Sequence, residues 1–327
     1  MIVNTSLLDA AMILVAGSAN LDFVVRADHI PAPGETVLGR DFSTFPGGKG
    51  ANQAVACARA GGAATHMLLA LGADAYAVPL QASLAAAAVQ MHIVRVGHQA
   101  TGTAFICVAD DAENAITVAP GANLSLGAAD LPALDGFSHL LMQLEIPVET
   151  VAAYALTARS HGVKVVLNAA PAQHLTPQLL ALVDVLIVNQ GELSNIANTA
   201  GSVAQCLAAI DVPCVVVTLG QHGCCARSGG EVLYQPAIAV NAIDSTGAGD
   251  TFCGTLVAAL HQGNSLAQAL RQAAAAGALA CTRPGAQSSI PMQGELAAFL
   301  AAQTDPTENQ TAELKKFCGM NGDAAAL

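Results

Sequence analysis

The chain has 327 residues, 53% of them hydrophobic and 11% charged, and twelve basic against twenty-four acidic residues leave a net charge of −12. Such a composition buries a large core and excludes an extensively disordered protein, while the acidic balance excludes a surface that tracks nucleic-acid phosphates. Nine scattered cysteines with no C-x-x-C pair exclude a zinc-finger framework and fit free thiols in a reducing cytoplasm.

Residues 1–11 lack a basic n-region and contain Asp9, so they read as an N-terminal extension rather than a secretory leader. The regular pattern starts with a buried strand over 12–17. A short β segment over 23–25 follows, then a helix over 51–60 closed by Gly61 and Gly62, a strand over 66–71 and a helix over 80–89. Residues 103–108 and 115–119 read as β segments around the acidic turn Asp110-Asp111. The second half alternates more regularly, with strands over 140–144, 163–167, 185–188 and 214–219 and helices over 148–159, 178–182 and 203–210. The last helices are expected over 250–261, 265–280 and 294–302. Near-continuous apolar strands alternating with helices predict an α/β domain over 12–303 with a mostly parallel sheet covered on both faces. Two stretches, 22–45 and 101–119, break the rhythm with β segments and read as a small β lid. Residues 304–327 are polar and irregular and read as a flexible tail. No apolar run reaches the ~20 residues of a membrane span.

In open parallel sheets, ligands sit beyond the carboxyl ends of the strands. Asn20, Asp22, Glu145, Asn189, Thr218 and Gly220 all fall there. The most informative segment is Asp244-Ser245-Thr246-Gly247-Ala248-Gly249-Asp250, a small-residue turn that runs into an apolar helix. That order aims unpaired backbone N–H groups and a positive helix end at an anion such as phosphate. A carboxylate on the same turn, Asp250, makes sense as a base. A second glycine-rich turn, Gly47-Gly48-Lys49-Gly50-Ala51-Asn52-Gln53, also opens a helix. It is not a Walker A loop, because Gly50 follows Lys49 where Ser or Thr is required. Asn20, Asp22, Asn52 and Glu145 suit the hydroxyls of a neutral polyol, and equally suit helix caps and turn bonds. Asn189-Gln190-Gly191-Glu192 suits either a metal-bound water or a simple helix start. Thr218-Leu219-Gly220-Gln221-His222-Gly223, a strand entering a glycine turn, suits the edge of a nucleotide. No G-x-G-x-x-G fingerprint supports a nicotinamide oxidoreductase, and no aromatic ladder supports single-stranded nucleic-acid binding.

Both glycine turns, with Gly17-Ser18-Ala19-Asn20-Leu21-Asp22, Pro33-Gly34-Glu35-Thr36, Met142-Gln143-Leu144-Glu145 and Thr282-Arg283-Pro284-Gly285-Ala286-Gln287-Ser288-Ser289, resemble the ribokinase-like (PfkB) carbohydrate kinases from about residue 12 to residue 300. The resemblance implies a three-layer α/β/α sandwich with a β lid. It implies ATP-dependent phosphorylation of D-ribose at O5, with ATP, Mg²⁺ and K⁺, in a cytoplasmic homodimer paired through the lid, without nucleic-acid or membrane partners. It implies Asp250 as general base beside the Gly247, Ala248 and Gly249 amides, and a sugar site of Asn20, Asp22, Gly48, Lys49, Asn52 and Glu145. Asn189, Thr218, Gly220, Gly223 and Gly249 would contact nucleotide. Glu192 would hold Mg²⁺ through water, while Asp244, Thr246, Ala280, Arg283, Gly285 and Ser289 would surround K⁺, largely by carbonyls. A kinase for another sugar or a nucleoside, and a non-catalytic sugar-binding regulator, stay open beside this. The chain departs from the family pattern at Ala274, where Asn is common near the adenine, at the middle of the 189–192 element, and at Gly72-Ala73-Asp74-Ala75-Tyr76-Ala77.

Overall fold

The protein is described by a computed structural model covering residues 11–111 and 113–320. In chain order the elements are β1 (Met12–Ala16), β2 (Asn20–Arg26), β3 (Arg40–Gly47), α1 (Lys49–Arg59), β4 (Thr65–Gly72), α2 (Ala77–Ala86), β5 (Gln90–Val96), β6 (Gly102–Val108), β7 (Asn114–Ala119) and β8 (Phe137–Met142). Then come α3 (Val148–Ser160), β9 (Lys164–Asn168), α4 (Pro177–Leu180), β10 (Val185–Asn189), α5 (Gln190–Ala197), α6 (Val203–Ala208), β11 (Cys214–Thr218), β12 (Gly223–Ser228), β13 (Glu231–Pro236), α7 (Ala248–His261), α8 (Leu266–Ala280), α9 (Gln293–Ala301) and α10 (Glu308–Phe317).

Nine strands form one sheet in the order β13-β12-β11-β10-β9-β8-β1-β4-β5. From β11 to β5 all neighbours run parallel, and β12 and β13 add an antiparallel hairpin at one edge. Strand alternation sends Ile13, Val15, Met67, Leu69, Leu141 and Val216 to one face, where α1, α2, α7, α8 and α9 cover them. Leu14, Ala16, Leu68, Leu140, Met142 and Val215 face the other way, under α3, α4, α5, α6 and α10. A sheet buried on both sides needs this doubly apolar sequence, and the strand runs supply it. The architecture is therefore the expected α/β/α sandwich. A second sheet, β3-β2-β6-β7, stands beyond the carboxyl end of β1 and matches the expected small lid. Asn20 opens β2, Gly102 opens β6 and Gly47 closes β3, and all three meet in register at the root of this sheet.

Several elements differ from the sequence expectation. β5, β12 and β13 were not anticipated, because each is short and mixes polar with apolar residues without a clean strand period. Residues 304–320 are not a loose tail: α10 is capped by Thr307, whose Oγ1 accepts from the Gln310 amide, and it buries Leu314 against the core. Residues 1–10 of the expected extension, and 321–327 of the expected tail, lie outside the described residues. Among the described residues no helix is long and apolar enough to cross a membrane.

Candidate active site

Asp250 lies in the first turn of α7. The preceding Gly247 is the N-cap at φ 74°, a left-handed conformation, and a Cβ there would lie 2.9 Å from the Ala286 backbone, so only glycine fits. The first intrahelical bond runs from the Thr251 amide to the Gly247 carbonyl at 2.8 Å. The Gly249 and Asp250 amides therefore precede the hydrogen-bonded ladder and stand at the positive helix end. Ala248 differs from the expectation for this turn: its amide donates to the Ser245 carbonyl at 3.2 Å and is already engaged. A Cβ on Gly249 would meet nothing within 4 Å, so this turn borders open space.

That space is a cavity of about 150 Å³ lined by Asp250, Gly249, Lys49, Glu192, Asn189 and Thr218, among others. It lies where the carboxyl ends of β9, β10 and β11 meet the start of α7. Asp250 is buried, and both its oxygens are held: Asn52 Nδ2 donates to Oδ2 and Gln53 Nε2 to Oδ1, each at 2.9 Å. Both donors come from the first turns of α1, which the second glycine turn launches. Gly48 at φ 88° makes the close approach, since a Cβ there would lie 2.7 Å from the Asn20 amide nitrogen.

The expected sugar residues gather beside this turn. Ser18 Oγ donates to Glu145 Oε2 at 2.5 Å, and the same oxygen accepts the Lys49 amide at 3.1 Å. Asp22 lies against Gly47, whose absent side chain leaves room for the carboxylate: an added Cβ would sit 2.1 Å from Asp22 Oδ2. Burial, with the nearby charges of Glu145 and Asp250, pushes Asp22 up to about 7. The Asp250 charge holds Lys49 above its usual range, outweighing the opposite effect of burial. Asn20 Oδ1 accepts from Asn123 Nδ2 at 2.8 Å, and Asn123 Oδ1 accepts the Ala19 amide at 3.0 Å. Ser18, Gln53, Asn123, Gln143 and Asn168 had no assigned role in the sequence, although Ser18, Gln53 and Gln143 fall within the quoted motifs.

Of the expected nucleotide residues, Asn189, Thr218 and Gly249 line the cavity; Gly220, in the turn after β11, and Gly223, which opens β12, do not. Ala274 packs against the α7 side of the core. Glu192 burial pushes its carboxyl above the ordinary range. Its Oε2 accepts the Asn189 amide and Asn189 Oδ1 accepts the Glu192 amide, both at 2.8 Å, so the pair closes a capping box while still lining the cavity. Among the described residues no three His, Cys, Asp or Glu side chains cluster as a metal cage. Glu192 at a polar cavity fits Mg²⁺, which keeps several waters and takes few protein ligands.

The expected cation residues lie on two stitched loops behind the turn. Asp244 Oδ1 accepts the Thr246 amide and Oδ2 the Gly285 amide, both at 2.8 Å, and the Ile243 amide donates to the Cys281 carbonyl at 2.7 Å. Burial would raise Asp244, but these bonds prevail and hold it below the usual carboxylate range. Ser289 is buried in the second loop, and the Ala280 carbonyl accepts the Arg283 amide at 3.2 Å, keeping one lone pair. The Arg283 guanidinium turns outward to Glu295 at 2.9 Å, so only its backbone is available to a cation. Carbonyl-rich loops beside one carboxylate fit a large monovalent ion.

The sequence from residue 10 to residue 293 matches the model of the pfkB family carbohydrate kinases. The chain is 38% identical to a ribokinase of Haemophilus influenzae, an alignment covering 88% of this chain and 97% of that protein. Its structure superposes on Arabidopsis thaliana ribokinase complexed with ribose and ATP at a TM-score of 0.83, with 30% identity over 90% of this chain and 100% of the other. Ribokinase from Thermotoga maritima gives a TM-score of 0.82 at 34% identity, covering 89% of this chain and 99% of that one. With its two glycine turns facing one cavity and that family match over most of its length, the chain belongs to the pfkB family of carbohydrate kinases.

Proposed function

We propose that this chain transfers the γ-phosphoryl group of ATP to O5 of D-ribose, giving D-ribose 5-phosphate and ADP. The observation that carries the proposal is the meeting of Asp250, the open Gly249 turn and Thr218 around one cavity, next to the polar cluster of Asp22, Lys49 and Glu145. Relatives named ribokinase, one of them complexed with ribose and ATP, support ribose as the acceptor.

In this scheme Asn20, Asp22, Asn52 and Glu145, with the Gly48–Lys49 backbone, hold the sugar hydroxyls. The Asp250 carboxylate accepts the 5-hydroxyl proton as that oxygen bonds to the γ-phosphorus and the bridging bond to ADP breaks. Phosphoryl transfer needs positioning and charge stabilisation more than covalent chemistry. The Gly249 and Asp250 amides and the α7 dipole supply stabilisation; one such donor is typically worth ~3 kcal/mol. Lys49 balances the buried carboxylates. Glu192, with Asn189, would hold Mg²⁺ through water, and the 244–246 and 280–289 loops would hold K⁺. When bound, Mg²⁺ neutralises phosphate charge and K⁺ braces the loops that shape the turn.

Leu38, Phe42, Phe105 and Ile116 expose large apolar side chains on the lid or its connection, which favours a homodimer paired through this sheet. Nine free cysteines accord with a cytoplasmic protein. The test is coupled ADP release over a panel of pentoses, ketohexoses and nucleosides, with Mg²⁺ and with or without K⁺. Ribose should give the highest kcat/KM, and K⁺ should raise it. Preference for a nucleoside or a ketohexose, or no turnover with any sugar, refutes the proposal.

A further inference from the structure

We propose that Gln53 is a positioning residue that fixes the Asp250 carboxylate through a buried relay of side-chain amides; this rests on Asp250 being the base of a sugar kinase. Gln53 is fully buried in α1. Its Nε2 donates to Asp250 Oδ1 and to Asn168 Oδ1, each at 2.9 Å, and its Oε1 accepts from Gln143 Nε2 at 2.6 Å. Asn168 in turn donates to the Ile187 carbonyl at 3.1 Å. The direction of the relay is dictated by its end. An ionised carboxylate only accepts, so the Gln53 nitrogen must face Asp250 and its oxygen must face Gln143.

Asp250 and Asn168 line the cavity, whereas Gln53 and Gln143 do not. Gln53 therefore reaches Asp250 without itself lining this cavity. The relay ties α1 and α7 to the ends of β8 and β9, and it is energetically poor as packing. Gln143 Oε1 is buried with no partner, and an orphaned acceptor costs free energy that an apolar pair of the same shape would not. What the relay does accomplish is to occupy Oδ1 and block rotation of the carboxylate, so that the group stays oriented towards the alcohol.

The experiment compares wild type, Asp250→Asn, Gln53→Met and Gln143→Met in steady-state kinetics from pH 5.5 to 9, with thermal melts. Gln53→Met should lower kcat by about 10²-fold, the scale of a misplaced catalytic group, with both KM values within about twofold. Gln143→Met frees Gln53 Oε1 but leaves its donation intact, so kcat should fall by only about three- to tenfold although the melting temperature falls comparably. A role in stability alone predicts equal kinetic effects from two equally buried amides. The proposal is overturned if Gln53→Met keeps kcat within threefold, or if its loss appears in KM rather than in kcat. Should Gln53→Met not fold, an unchanged kcat in Gln143→Met overturns it. If wild type phosphorylates no sugar, or Asp250→Asn stays active, the reading of the base is what has failed.

Discussion

Asp22 should act against stability when no sugar is bound. Its carboxyl is pushed from 3.8 to about 7 by burial and by the Glu145 and Asp250 charges. The folded protein therefore retains a proton that the unfolded chain has released, and stability falls as pH rises from about 4 to about 7, then levels off. Each tenfold change in proton affinity is worth about 1.4 kcal/mol, so the full effect is bounded by about 4 kcal/mol. Water at the mouth of the site screens it, and about 2 kcal/mol is a reasonable working value. In a chain of this size that corresponds to roughly 4 °C in melting temperature. Asp22→Asn removes the titration and keeps the shape. Melts of the sugar-free protein should show the variant about 2 °C above wild type at pH 5.5 and about 4 °C above at pH 8, with a plateau beyond. Its sugar affinity should fall meanwhile, the usual exchange of stability for function. A difference independent of pH, or a less stable variant at pH 8, refutes the reasoning.

Further outcomes follow from other contacts. Gly254→Ala brings a Cβ to 2.4 Å from the Gln53 carbonyl at the α1–α7 crossing, and overpacking there should cost about 1–3 kcal/mol in chemical denaturation and disturb kcat. Glu192→Gln should raise the Mg²⁺ concentration for half-maximal activity by about 10- to 100-fold, read from a Mg²⁺ titration at saturating ATP. Leu314→Ala empties a buried site under α10 and should destabilise the protein by about 2–4 kcal/mol in urea, whereas an undocked tail would leave the midpoint unchanged.

The sandwich was legible because parallel strands such as β1 and β11 carry apolar runs that only a doubly covered sheet can use. The two glycine turns were legible because the chain needs left-handed or side-chain-free positions at Gly48 and Gly247. β5 and the β12–β13 hairpin were not, since these short strands at and next to the sheet edges mix polar and apolar residues and look like loops. α10 hid for a related reason: among its own residues it buries only Leu314, and the rest reads as a solvated tail. Gln53, Gln143 and Asn168 could not be grouped from spacing, because Gln53 and Asn168 are 115 positions apart and meet only once β8, β9 and α1 have converged.

Asn20 pairs with Gly47 on one side and Gly102 on the other, at the foot of the small sheet. Three strands thus hinge on the residue proposed to grip the sugar. Any tilt of that flap would twist the grip with it, and a pentose clasped there would act as a wedge against the tilt. A shift at that one residue would therefore be felt along three strands, and a shift of the strands would be felt at that residue.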